Sequence, residues 1–267
     1  MTDDQALSEQ ICLTLTRQGP VAHIAIDNPG RKNAVNLATW RHLAYTVGEL
    51  GKDRETRVIV LSGAGGDFCA GADISEFDAV RRDAATARSY EAANSDAFRA
   101  LRDSAIPVIA AIGGVCFGGG FGLAAACDLR IASEDARFAV PAARLGLAYP
   151  ADAMIDIVAS SGDQMARYLT MTAATIDAAA AMRAGFLLEV LSTNQLAIRA
   201  TEIATTIAAN APLSIRASRL AISATVSHDA TLLATAKTAG DATFESKDYT
   251  EGRSAFRERR KPVFYGR

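Results

Sequence analysis

At 267 residues, with 49% apolar content and a formal net charge of −2, the chain can bury a sizeable core and carries no charge excess that would draw it to nucleic acid. Four cysteines (Cys12, Cys69, Cys116, Cys127) show no CxxC spacing and the three histidines (His23, His42, His228) lie far apart, so no metal site is expected and the cysteines read as small buried hydrophobes in a reducing compartment. The opening stretch MTDDQALSEQ has neither the basic start nor the apolar segment of a secretory signal, and no apolar run approaches a membrane span, which makes a cytoplasmic protein without a membrane partner the expectation.

Along the chain, Ile11 to Thr16 alternates apolar and polar residues, Arg17-Gln18-Gly19-Pro20 supplies a turn, and Val21 to Ile26 resumes the extended pattern, which predicts a hairpin. After the breaker Asn28-Pro29-Gly30, Asn36 is placed to cap a helix carrying Leu37, Trp40, Leu43, Ala44, Val47 and Leu50 on one face, with Gly51 as its stop. A buried strand over Arg57 to Ser62 follows, then a glycine-rich loop, a helix around Ala84 to Arg102 (Ala87, Tyr90, Asn94, Ala97, Leu101 on one face) and a strand over Val108 to Ile112. This alternation predicts an α/β domain with largely buried strands. From Asn194 the pattern is helical only, so the chain divides into a core over 1–193 and a helical region over 194–267, whose apolar stripes need cover from the core or from a second copy.

Ile106 to Ser133, IPVIAAIGGVCFGGGFGLAAACDLRIAS, combines a central strand, glycines at 118, 119, 120 and 122, and a small-residue helix read as Phe121 to Cys127. Glycines let main-chain N–H groups approach a ligand, and a helix start turns unpaired N–H groups and a positive dipole end toward it. The spacing fits neither GxGxxG nor a P-loop, which disfavours a nucleotide. A second loop of the same kind, Ser62 to Ile74, follows another buried strand. Two such loops can converge, and paired N–H donors aimed at one carbonyl oxygen form an oxyanion hole.

AGADI at Ala70 to Ile74, with CFGGGFGLAAACDLRIASEDARFAVP at Cys116 to Pro141, resembles the enoyl-CoA hydratase/isomerase (crotonase) superfamily; the likeness extends through NPGRKNA, ARLGLAYP and the terminal RRKPVFYGR. The resemblance implies a spiral core of ββα units, a C-terminal helical trimerisation region giving a homotrimer or dimer of trimers, and an acyl-CoA substrate, with coenzyme A present only as part of it and no covalently bound cofactor. It implies oxyanion-hole amides at Ala72 and Gly119, and coenzyme A lying along Arg31, Lys32 and Ala34 and along Ala70, Gly71, Asp73 and Ile74. Arg253, Arg257, Arg259, Arg260 and Lys261 are further candidates for its phosphates, or a solvated helix face.

Family hydratases place one glutamate after the glycine triplet and another after the proline near the next strand end, and here those positions hold Gly122 and Ala142. Water addition needs a base and an acid, each contributing roughly 10² to 10⁴ in rate, and neither residue provides one. Tyr149 and Asp152 are the candidate substitutes; Asp152 also reads as the N-cap of a helix over Ala153 to Ser160. Glu76 can face the pocket or solvent, Asp73 reads as a cap because a carboxylate beside an oxyanion opposes its charge, and His23 and His42 read as structural. Arg144 is a candidate partner for a substrate carboxylate. The resulting expectation is a CoA-thioester enzyme using decarboxylase- or hydrolase-type chemistry; the alternatives are a weak hydratase using substitute residues and a non-catalytic acyl-CoA binder.

Overall fold

The computed structural model describes residues 10–267; the polar opening stretch over 1–9 lies outside them. Strands β1 (Leu13–Gln18) and β2 (Val21–Ile26) form the expected hairpin, turning at Gly19, whose φ is +57°. Asn36 caps helix α1 (Leu37–Lys52), its side chain accepting from the Thr39 N–H at 2.9 Å. The helix runs through Gly51 and ends at Lys52, so Gly51 is not its stop. Strand β3 (Val58–Gly63), a short helix α2 (Phe77–Val80), helix α3 (Ala84–Arg102) and strand β4 (Val108–Ile112) follow. Next come β5 (Val115–Phe117), α4 (Gly119–Ala126), β6 (Leu129–Ser133), β7 (Arg137–Ala139), α5 (Met154–Thr172), β8 (Thr175–Asp177), α6 (Ala178–Arg183) and β9 (Glu189–Leu191). Four helices close the chain: α7 (Thr193–Ala208), α8 (Pro212–Ser227), α9 (Ala230–Ala242) and α10 (Lys247–Glu258).

The main sheet has the order β1-β2-β3-β4-β6-β9, parallel except for the first pair, and β5-β7-β8 form a second sheet. Alternate strand residues point to opposite faces, and here both faces are covered, which is why the strands read as unbroken apolar runs. Ile24, Ile59, Leu61, Val108 and Ala110 face Trp40, Leu43 and Val47 of α1 and Tyr90, Phe98 and Leu101 of α3. Val58, Val60, Ile109 and Ile131 face the other way, against Ala200, Ala204 and Ala208 of α7. Thus the first helix of the C-terminal region covers the sheet of its own chain. Arg219 on α8 ties the next helix down, donating to Asp128 Oδ1 at 2.6 Å and to the carbonyl of Arg102 at 2.5 Å, where the end of α3 leaves carbonyls without helical partners. No helix among the described residues is long and apolar enough to cross a membrane.

Candidate active site

Main-chain pairing holds the two glycine loops side by side. The N–H groups of Phe68 and Cys69 donate to the carbonyls of Gly113 and Val115, and the Phe117 N–H donates to the Cys69 carbonyl. A Cβ on Gly120 would stand 2.2 Å from that carbonyl, so the approach needs glycine. The NPGRKNA turn braces the outer side. The Asn33 side-chain amide donates to the Ala64 carbonyl at 2.7 Å, Val35 forms a parallel bridge with Ala72, and the Ala70 N–H donates to the Lys32 carbonyl.

This bracing brings Ala72 and Gly119 together. Gly71 has φ +98°, and a Cβ built on it would lie 3.0 Å from the Gly119 nitrogen. Helix α4 begins at Gly119, two residues earlier than its glycine-rich sequence predicts, which places the Gly119 N–H at the unpaired first turn. Every residue of α4 after Gly119 is buried, so packing rather than helix propensity sets its start. The N–H groups of Ala72 and Gly119 meet no acceptor among the described residues.

Both loops border a cavity of about 120 Å³, room for roughly four waters at ~30 Å³ each. Its other walls are Pro141 and Ala142, the segment from Leu145 through Pro150, and three side chains of α3: Glu91, Asn94 and Phe98. Tyr149 lines the cavity as a sequence candidate should, but its hydroxyl donates to the Gly118 carbonyl at 2.8 Å and burial raises its pKa, so it is no base at neutral pH. A Cβ on Gly122 would lie 2.4 Å from that same hydroxyl and 2.7 Å from Phe98 Cζ. Tyr149 and Phe98 therefore occupy the space a side chain at 122 would enter.

Asp152 requires correction on both readings. It is exposed, does not line the cavity, and accepts from Ser95 Oγ at 3.1 Å. Nor is it a cap: the helix begins at Met154 with Ala153 at its N-cap position and no side chain bonded there. Asp73 is a cap, accepting from the Ser75 N–H at 3.0 Å, and it pairs with Arg31 at 3.0 Å. Arg31 is thereby engaged within the turn, whereas Lys32 is exposed in a left-handed conformation. Ala34 is buried beneath the turn, and Ala70, Gly71 and Ile74 border the cavity. Glu76 is buried and faces neither the cavity nor solvent. Its Oε1 accepts from the Leu37 N–H at 2.8 Å, at the N-terminus of α1, and burial raises its pKa to about 7. His23 sits on β2, where burial lowers its pKa, His42 lies on α1, and Arg144 is exposed. In the C-terminal cluster Arg260 is paired with Glu251 and Glu258, consistent with a solvated helix face.

The polar side chains that do line the cavity were not singled out by their sequence context. Arg81 donates to Glu91 Oε1 at 2.8 Å, its guanidinium lies 4.3 Å and 4.2 Å from the ring centres of Phe77 and Tyr90, and Asn94 follows one turn after Glu91. The available sign was Asn94, a polar residue inside the apolar stripe of α3.

Residues 16–267 match the Enoyl-CoA hydratase/isomerase family. A short-chain-enoyl-CoA hydratase of Clostridium acetobutylicum is 36% identical over 249 residues, covering 92% of this chain and 95% of that protein. A (7aS)-7a-methyl-1,5-dioxo-2,3,5,6,7,7a-hexahydro-1H-indene-carboxyl-CoA hydrolase of Mycobacterium tuberculosis is also 36% identical, over 212 residues, covering 79% of this chain and 83% of that protein. The crystal structure of an enoyl-CoA hydratase/carnithine racemase from Magnetospirillum magneticum superimposes with a TM-score of 0.90 at 32% identity, covering 97% of each chain.

Proposed function

The chain belongs to the enoyl-CoA hydratase/isomerase family, and from that membership we propose an enzyme that binds an acyl-CoA and polarises its thioester carbonyl with the N–H groups of Ala72 and Gly119. The observation that carries this reading is the pair of unpartnered N–H groups on adjoining loops at one cavity. Such donors stabilise a developing oxyanion or enolate by about 2.7 to 4 kcal/mol each. Coenzyme A would lie along the main chain of Lys32, Ala34 and Ala70 to Ile74, with Lys32, exposed and without an ion pair among the described residues, facing its phosphates. The exposed apolar side chains Ile222, Leu233, Phe244 and Phe256 of the C-terminal region are the surface a homotrimer would cover.

The reaction we propose is not hydration by two glutamates, because residues 122 and 142, where the resemblance puts the family's pair, are glycine and alanine. Chemistry that needs a stabilised enolate and few proton-transfer groups suits this cavity better: decarboxylation of a malonyl-type thioester, or hydrolytic carbon–carbon cleavage of a β-keto acyl group. Equal identity to proteins named as a hydratase and as a hydrolase leaves that choice to the site. The test is mass-spectrometric screening against enoyl, β-keto and malonyl-type CoA thioesters. Cleavage or decarboxylation with little hydration of crotonyl-CoA is expected; hydration at ordinary hydratase rates would overturn the proposal.

A further inference from the structure

The cavity lacks carboxylates at 122 and 142, yet a different element supplies one. Among the described residues that line it, Glu91 is the sole acid. The other acids nearby do not line it: Asp73 pairs with Arg31 and Ser75, Asp152 accepts from Ser95, and Glu76 accepts from the Leu37 N–H, its Oε2 buried and unpartnered among the described residues but away from the cavity. Building on the CoA-thioester reading, we propose that Glu91 is the catalytic residue that takes and returns the proton at Cα of the bound thioester.

Three features of Glu91 support this role. Its Oε1 is held by Arg81, whose own side chain is 9% exposed and lies against two rings, so the carboxylate has a fixed orientation. Among the described residues its Oε2 is buried with no partner, and the same holds for Asn94 Oδ1 one turn along the same face of α3. A buried acceptor left unpaired is destabilising, and a catalytic role is one explanation for keeping such a group. The same cavity is also bordered by Ala72 and Gly119, so the carboxylate and the two N–H groups share one space.

In the step itself the Cα–H bond breaks and its proton passes to Glu91 Oε2. The electron pair moves into the bond between Cα and the carbonyl carbon, and the carbonyl π pair moves onto the thioester oxygen held by the Ala72 and Gly119 N–H groups. The reverse step gives the proton of a protonated Glu91 to Cα of an enolate made by decarboxylation, which releases carbon dioxide, or by hydrolytic carbon–carbon cleavage, which consumes one water, and Glu91 then regains its proton from solvent, so one carboxylate serves either reaction.

Butyryl-CoA incubated in deuterium oxide tests the proposal without knowledge of the physiological acyl group. Wild-type protein should exchange the Cα hydrogens, read by mass spectrometry. Glu91→Gln should slow exchange by about 10²-fold or more, while calorimetric affinity for butyryl-CoA stays within about threefold, well under the tenfold that corresponds to 1.4 kcal/mol. Asp152→Asn should exchange as wild type. Should Glu91→Gln not fold, Glu91→Asp keeps the charge facing Arg81 but withdraws the carboxylate by one methylene, and a loss of about tenfold or more is expected. Undiminished exchange in either folded variant, or wild-type binding of butyryl-CoA without exchange, overturns the assignment of Glu91 alone. Absence of butyryl-CoA binding by the wild type would instead remove the CoA-thioester reading on which it rests.

Discussion

Gly122 offers the sharpest test of how the cavity is built, because two neighbours stand where its Cβ would go. In Gly122→Ala the new methyl meets Tyr149 Oη at 2.4 Å and Phe98 Cζ at 2.7 Å. Phe98 is held by an edge-to-face contact with Trp40 at 5.7 Å between centroids and is 2% exposed, so it yields little. Overpacking of this kind costs about 1–3 kcal/mol, and the gain from replacing a helical glycine by alanine returns about 1 kcal/mol. The net expectation is a loss of about 0–2 kcal/mol in urea unfolding. Tyr149→Phe alone should cost about 0.5–1.5 kcal/mol, the usual worth of its hydrogen bond to the Gly118 carbonyl. Combining the two removes the shorter clash, so the double variant should be more stable than the sum predicts, with a coupling of about 1 kcal/mol. Additivity within about 0.5 kcal/mol would refute the claim that the tyrosine fills the space of residue 122. By the same geometry, Gly122→Glu in otherwise wild-type protein should not create crotonyl-CoA hydration, since the added side chain is directed at Tyr149 and Phe98.

A Cβ at Gly119 would lie 2.9 Å from the buried Trp40 ring, so Gly119→Ala must move the N–H rather than the tryptophan. Turnover should fall by roughly 10²–10³, and the infrared shift of a ¹³C-labelled thioester carbonyl on binding should shrink; a full-sized shift in the variant would exclude this N–H as donor. Glu76, whose pKa rises from 4.5 to about 7 by burial, holds a proton in the folded state that the unfolded chain releases between those values. Stability therefore falls as pH rises from about 4.5 to 7. Glu76→Gln should abolish that slope and gain about 3 kcal/mol on the wild type between pH 4.5 and pH 8, at 1.36 kcal/mol per unit. Parallel stability profiles of the two proteins would contradict this. Arg219→Ala should cost about 3 kcal/mol in urea unfolding, the lower end for breaking a buried ion pair because Asp128 keeps 26% exposure and a second bond to the Val108 N–H; a loss below about 1 kcal/mol would mean that α8 is secured by other contacts.

The fold was legible wherever its determinants are local. Val21–Ile26, Val108–Ile112 and Ala84–Arg102 fall where apolar period and flanking breakers place them, and Asn36 caps its helix through its own side chain. Local rules failed where tertiary packing decides. Asp152 follows a proline at the head of a helical pattern, yet Ser95 on a distant helix captures its carboxylate and the helix starts without it. Helix α4 starts inside a glycine triplet that propensity disfavours, because glycines alone let it pack against the Cys69 carbonyl.

The site divides along the same line. Functions assigned to main-chain atoms leave a trace in sequence, since a loop that must expose N–H groups at close quarters needs small residues at fixed spacing, as in Ala70–Ala72 and Gly118–Gly120. A carboxylate on a helix leaves none, because Glu91 has the composition and period of any solvent-facing residue of α3. What separates it from Glu49 on α1, which pairs with Lys52 on an exposed surface, is the neighbourhood folding brings: Arg81 on one oxygen, a cavity that includes the glycine loops, and no partner among the described residues for the other oxygen. On the proposed reading, the same loops can thus face acids drawn from different elements, and a glycine at 122 in α4 leaves the proposed enolate-stabilising N–H groups in place. The proposed oxyanion donors depend on the packing of two loops against a buried sheet, whereas an acid or base depends on a single side chain reaching one cavity, so the second can relocate while the first stays in place.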